Sequence, residues 1–209
     1  MDLTGILITG VLVYAIIRLL MHDKVSRDQK FYLLLTSAVF YTIASLSWAQ
    51  QFFEISLETE LFISSVGSWM QLIGVSFGLC FLALVNWEDR PPVARYPVQF
   101  VYAPLLLIIS FLFVHDTVFM KMRLLGFYEI GALVIAVIFF GLLTVKNFGF
   151  VYLLSGVIVL LLSLIVYWFP GDFAETNPWI WQLIILPAVL LITHGYIYCA
   201  DELGELKKQ

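Results

Sequence analysis

Seven apolar runs take up almost the whole chain: roughly 3–21, 31–52, 61–86, 98–114, 124–145, 148–169 and 179–200. Runs of this length and polarity read as helices that cross a bilayer. In hydrocarbon each backbone N–H and C=O must be satisfied within its own segment, so helix is the form each run takes. The linkers are short, which makes consecutive helices antiparallel neighbours. The expected fold is a single all-α integral membrane domain over residues 1–209, a seven-transmembrane-helix bundle. Composition agrees, because only 12% of residues are charged, against about 25% in a soluble domain. The first run has no positive residue before it and no small-residue cleavage pattern, so it reads as a retained span.

The loops predict the orientation. Arg18, Lys24, Arg27, Lys30, Arg90, Arg95, Lys146, Lys207 and Lys208 fall on one side, and Lys121 and Arg123 on the other. Cytoplasmic loops carry the positive excess, so the N-terminus is expected outside and the C-terminus in the cytoplasm, in the plasma (inner) membrane. Glu54, Glu58, Glu60, Asp172 and Glu175 occupy the outer loops. Trp48, Trp168, Trp179 and Trp181 are expected as an outer aromatic belt, with Trp87, Tyr96 and Tyr198 as the inner one. Pro104 and Pro187 lie inside spans and are expected to kink them.

The third run predicts the packing. Ser64, Gly67, Ser68, Gln71, Gly74 and Gly78 share one helical face. Opposite them stand Phe62, Ile63, Val66, Met70, Ile73, Phe77 and Phe81. Lipid tails do not drive apolar helices together, so bilayer helices pack through small residues and hydrogen bonds. Gly74 and Gly78 have the close-approach G-x-x-x-G spacing. The third helix is thus expected at the centre of the bundle, with its narrow face inward.

Glu129 is the acidic residue well inside a span, about a turn and a half from the outer end of the fifth run. Such carboxyls usually face a bundle interior or a wet cavity. One reading makes it a ligand anchor or a proton-linked group. The other makes it structural, hydrogen-bonded to Tyr128 or paired with Arg123. Tyr41, Ser45 and Trp48 recur at helical spacing on the second run, and Ser68, Gln71 and Gln182 should lie at similar depth. These residues are candidates for an outward-facing polar ligand pocket with Glu129, or else for interhelical hydrogen bonding. His194 reads as a hydrogen-bonded core histidine or a titrating switch. His22 and His115 sit at opposite membrane ends, so no haem or metal pair is expected. Cys80 and Cys199 have no metal-ligand spacing.

The spacing G-x-S-x-G occurs once, as Gly74-Val75-Ser76-Phe77-Gly78, but inside the third apolar run and not at the strand-to-helix turn that a nucleophile elbow needs; no G-x-x-x-x-G-K, G-x-G-x-x-G or H-E-x-x-H occurs. The last run has no lysine for a retinal Schiff base, and no Pro-Gln pair occurs as in the small seven-span sugar carriers. The net charge of −4 speaks against nucleic acid as a partner. The expected function is a non-enzymatic small-ligand sensor module or an accessory subunit of a membrane complex. No cofactor or metal is expected. The bilayer is one partner, and a membrane protein or a second copy of the chain is a candidate for another. A small-solute or proton-linked transporter is the alternative, and an intramembrane enzyme acting on lipid the next.

Overall fold

The computed structural model describes residues 4–22, 28–48, 56–89, 93, 95–113, 118–169 and 179–206. Nearly all of them are helical, and none of them is in a strand. Helix α1 spans Thr4–Met21, α2 Gln29–Trp48 and α3 Leu57–Asp89. A 3-10 helix over Val98–Leu105 runs directly into α4, Leu106–Phe113. Helix α5 spans Val118–Lys146, a 3-10 turn over Phe148–Phe150 leads into α6, Val151–Trp168, and α7 spans Trp179–Leu206. Among the described residues five helices are long and apolar enough to cross a membrane: α2, α3, α5, α6 with its leading turn, and α7. Ile6–Met21 and Val98–Phe113 are shorter apolar helices.

Capping explains several starts. Asp28 Oδ1 accepts the Phe31 N–H at 3.1 Å and opens α2. Ser56 Oγ accepts the Thr59 N–H at 3.4 Å ahead of α3. Glu58 and Glu60 in that first turn complement the helix dipole. Helix α3 therefore starts before the apolar run does, and reaches about 50 Å at 1.5 Å per residue. Pro104 falls within the 3-10 stretch, and α7 continues through Pro187 without interruption.

Six helices close a ring. α1 touches α2, α2 touches α3, α3 touches α5, α5 touches α6, α6 touches α7, and α7 returns to α1. The centre of the bundle is a cavity, and α3 is one wall of it, not its axis. The 3-10/α4 segment packs against α3 outside this ring. It starts beside Trp87, whose indole donates to the Tyr96 carbonyl at 2.7 Å. It ends beside Trp69, which meets Phe111 edge-on with ring centroids 5.0 Å apart. The segment thus runs antiparallel to α3. By contrast α3 and α5 run parallel, because Leu72 clusters with Leu125 and Leu84 with Leu143.

The small-residue stripe of α3 divides. A Cβ at Gly74 would stand 2.7 Å from the Tyr41 ring, and one at Gly78 would stand 3.3 Å from Ser37 Oγ. Gly67 lies against Ser47 in the same way. These glycines let α2 approach closely, and Ser37 Oγ adds a 2.7 Å hydrogen bond to the Gly74 carbonyl. Ser64 is exposed, and Ser68 bonds back to the Ser64 carbonyl at 3.0 Å. The opposite face is not uniformly outward either. Phe62 is exposed, but Phe81 is buried against Tyr196 and Phe77 stacks on Phe40. A second close approach joins α6 and α7. There Gly156 meets the Ile192 backbone, and Gly195 meets that of Leu153.

The expected aromatic belts also need correction. Trp179 is exposed, but Trp181 is buried in a cluster with Ile8 and Ile185. Trp168 turns inward to Glu129. At the other end of the bundle Lys30 pairs with Glu88 at 2.7 Å, Gln29 bonds the Tyr102 hydroxyl, and Arg95 stacks over Trp87. Lys24, Arg27, Gln51, Glu54, Arg90, His115, Asp116, Asp172, Glu175, Lys207, Lys208 and the side chains of Trp48 and Lys121 lie outside the described residues.

Candidate functional site

All six ring helices line a cavity of about 230 Å³. Its wall is apolar over most of its extent: Ala15 and Leu19 from α1, Val157 and Leu164 from α6, Ile185 and Val189 from α7. Helix α5 contributes Glu129, Ala132, Leu133, Ala136 and Phe140. Those positions share one helical face, so this wall is a product of 3.6-residue periodicity. The polar groups at one level of the cavity are Glu129, Tyr41 and Gln71, and Thr193 and Tyr196 line it further along.

Glu129 is 1% exposed. Tyr41 from α2 donates its hydroxyl to Oε1 at 3.2 Å, and Trp168 from α6 donates its indole N–H to Oε2 at 2.7 Å. Each donor is fixed by a glycine on a facing helix. The Tyr41 ring lies over Gly74, and the Trp168 ring lies over Gly126, where a Cβ would stand 2.7 Å away. Neither of the partners expected for a structural role holds the carboxyl. Tyr128 instead bonds Ser110 at 2.9 Å, and Arg123 is exposed with no ion pair to Glu129. Helix α5 begins earlier than its apolar run. Its stretch apolar enough to cross a membrane is Arg123–Lys146, so Glu129 lies about 9 Å along the axis from the start of that stretch at 1.5 Å per residue.

Tyr41, Gln71 and Glu129 come together at the cavity. The other candidates do not. Ser45 is fully buried but faces α1, sharing a 2.8 Å hydrogen bond with Thr9 and donating to the Thr42 carbonyl at 2.7 Å. Ser68 is off the cavity wall. Gln182 is buried in the first turns of α7, with its Oε1 lacking a hydrogen-bond partner among the described residues, and it too is off the wall. Trp48 ends α2. His194 is exposed on the outer face of the ring, edge-on to Tyr152 at 5.3 Å, so it is not a core histidine. Gly74 and Gly78 both line the cavity as well as the α2 contact.

Trp168 is the contact to Glu129 that the sequence does not reveal, because a tryptophan at a span end reads first as an interface anchor. Chemically the arrangement is a carboxyl oriented by two donors at one level of a largely apolar chamber. An ionised carboxylate accepts about four hydrogen bonds, so two donors leave acceptor sites free. Among the described residues no group of three His, Cys, Asp or Glu is placed to hold a metal ion. Comparison with family models, curated proteins and solved structures finds no match for this chain.

Proposed function

We propose that the protein is a seven-span membrane protein that binds a small molecule in its central cavity, as a sensor module or as the ligand-binding subunit of a larger membrane complex. The observation that carries this reading is Glu129, a buried carboxyl held by Tyr41 and Trp168 against an apolar chamber. Intramembrane ionisable residues are costly to keep, and their usual role is functional.

Two features support seven spans. Helices α3 and α5 are parallel, so the chain between them has to return across the bundle, and the 3-10/α4 segment runs antiparallel along α3. A 3-10 helix rises about 2.0 Å per residue, so this segment reaches about 28 Å with few residues, close to the bilayer core of about 30 Å. The positive loops favour an N-terminus outside and a cytoplasmic C-terminus, in the plasma membrane. Sensing is preferred to transport on one ground. Alternating-access carriers place broken helices at the substrate, whereas α7 is continuous through Pro187, and Pro104 lies outside the ring.

The test is native mass spectrometry of the full chain purified from membranes, beside Ala136→Phe, which fills the cavity without adding charge. The wild type should carry a bound small molecule that the variant has lost. Identical bound masses on both would overturn the reading.

A further inference from the structure

Resting on that cavity reading, we propose that the chamber selects a protonated amine on a slender apolar body, with its nitrogen at Glu129 and its carbon chain along α5 past Ala132 and Ala136. Three observations converge on this class.

The first is shape. The α5 wall runs from Glu129 to Phe140, which is about 16 Å along the helix axis. The volume of about 230 Å³ exceeds the roughly 150 Å³ that takes a benzene-sized molecule and falls below the 300 Å³ or so of drug-sized pockets. A short alkyl or arylalkyl chain suits a space that is long and small.

The second is the distribution of polarity. The wall beyond Glu129, Tyr41 and Gln71 is largely aliphatic; of its other polar groups Ser37 and Thr193 donate to the Gly74 and Val189 carbonyls, and Tyr196 lines it further along. A ligand with a single polar end matches it, whereas a sugar or a zwitterion would bring polar groups to a surface with few partners.

The third is charge. The groups facing Glu129 are Tyr41 from α2, Gln71 from α3, and Trp168 from α6 with Tyr167 beside it. None is a cation, and no Lys or Arg among the described residues lies within ion-pair distance of Glu129. Both carboxyl oxygens are held by donors, so the carboxyl has a fixed orientation. A ligand ammonium would supply the missing partner through charge-assisted hydrogen bonds. Whichever group brings the proton, the bound pair is the same neutral assembly, and this avoids an unpaired buried charge. An alcohol of the same length offers only an ordinary hydrogen bond. A carboxylate would set two acids together.

The test titrates n-hexylamine, n-hexanol and n-hexanoate into the full-length protein in nanodiscs of zwitterionic lipid, reading thermal unfolding. Hexylamine should half-saturate at a concentration about tenfold or more below hexanol, the ratio expected for a hydrogen bond to a charged group. Hexanoate should give no shift. In Glu129→Gln the amine should lose its advantage while the alcohol still binds. Equal binding of amine and alcohol to the wild type would overturn this inference and leave the cavity reading standing; that comparison needs no variant to fold. If none of the three shifts the wild type, or all shift Ala136→Phe equally, the cavity reading itself fails.

Discussion

The ring of Tyr41 occupies the space that a side chain at position 74 would need: a Cβ on Gly74 would stand 2.7 Å from Tyr41 Cδ2. The same tyrosine donates its hydroxyl to Glu129 at 3.2 Å. Helix packing and the candidate site therefore share one side chain. Gly74→Ala should displace Tyr41 and lower stability by about 1–3 kcal/mol, as overpacking does. A Cβ on Gly131 would meet nothing within 4 Å, and Gly131→Ala should be neutral or stabilising by up to about 1 kcal/mol through helix propensity. Thermal unfolding in detergent compares them, and equal melting shifts would refute the coupling.

Glu129 separates shape from charge. Glu129→Gln keeps an acceptor for Trp168 and an amide to bond Tyr41, so its melting temperature should stay close to that of the wild type. Glu129→Leu strands two donors, Tyr41 and Trp168, at about 1–3 kcal/mol for each buried group left unsatisfied. A melting comparison that ranks Gln as low as Leu would show that the carboxyl is needed for folding itself.

Ser45 is a tether between helices and not part of the chamber. It bonds Thr9 on α1 at 2.8 Å. Such interhelical bonds in membranes are worth about 0.6 kcal/mol on average. Ser45→Ala should lower the melting temperature slightly and leave amine binding unchanged. Loss of binding with intact stability would place Ser45 in the site after all.

Orientation is open to cysteine labelling, because native Cys80 and Cys199 are both buried thiols outside any disulfide. Val93 is fully exposed at one end of the bundle and Glu58 is exposed at the other. With the N-terminus outside, an impermeant reagent on whole cells should modify Glu58→Cys and spare Val93→Cys. The opposite pattern would invert the topology.

Periodicity alone is enough to read part of this arrangement. The α5 face carrying Glu129, Ala132, Ala136 and Phe140 follows from helical spacing, and so does the glycine seam of α3. Spacing also groups Ser64 and Ser68 with those glycines, but Ser64 is exposed and Ser68 bonds back to the Ser64 carbonyl, because a stripe does not say where its neighbour ends. Phe62 and Phe81 look alike in sequence, yet one is exposed and the other buried. In a bilayer protein both the lipid side and the core favour such residues, so hydrophobicity does not tell inward from outward. The cavity is illegible for a related reason: it is a space between six helices, and no short motif encodes a space. Trp168 is ambiguous in sequence because interface anchoring and inward hydrogen bonding ask for the same residue.

The α1–α7 contact joins the first helix of the chain to the last. Ile8 clusters with Trp181 and Ile185, and Leu19 with Ile197, so the ring shuts through the most distant pairing in the chain. During synthesis Glu129 is inserted before Trp168, and both before α7 arrives. Non-local closure of this kind is slow relative to local helix pairing, and the unfinished ring is the species most exposed to wrong partners. A chain cut before α7 would therefore leave Glu129 on an open groove and not in a chamber, because one of the six walls is the last to be made.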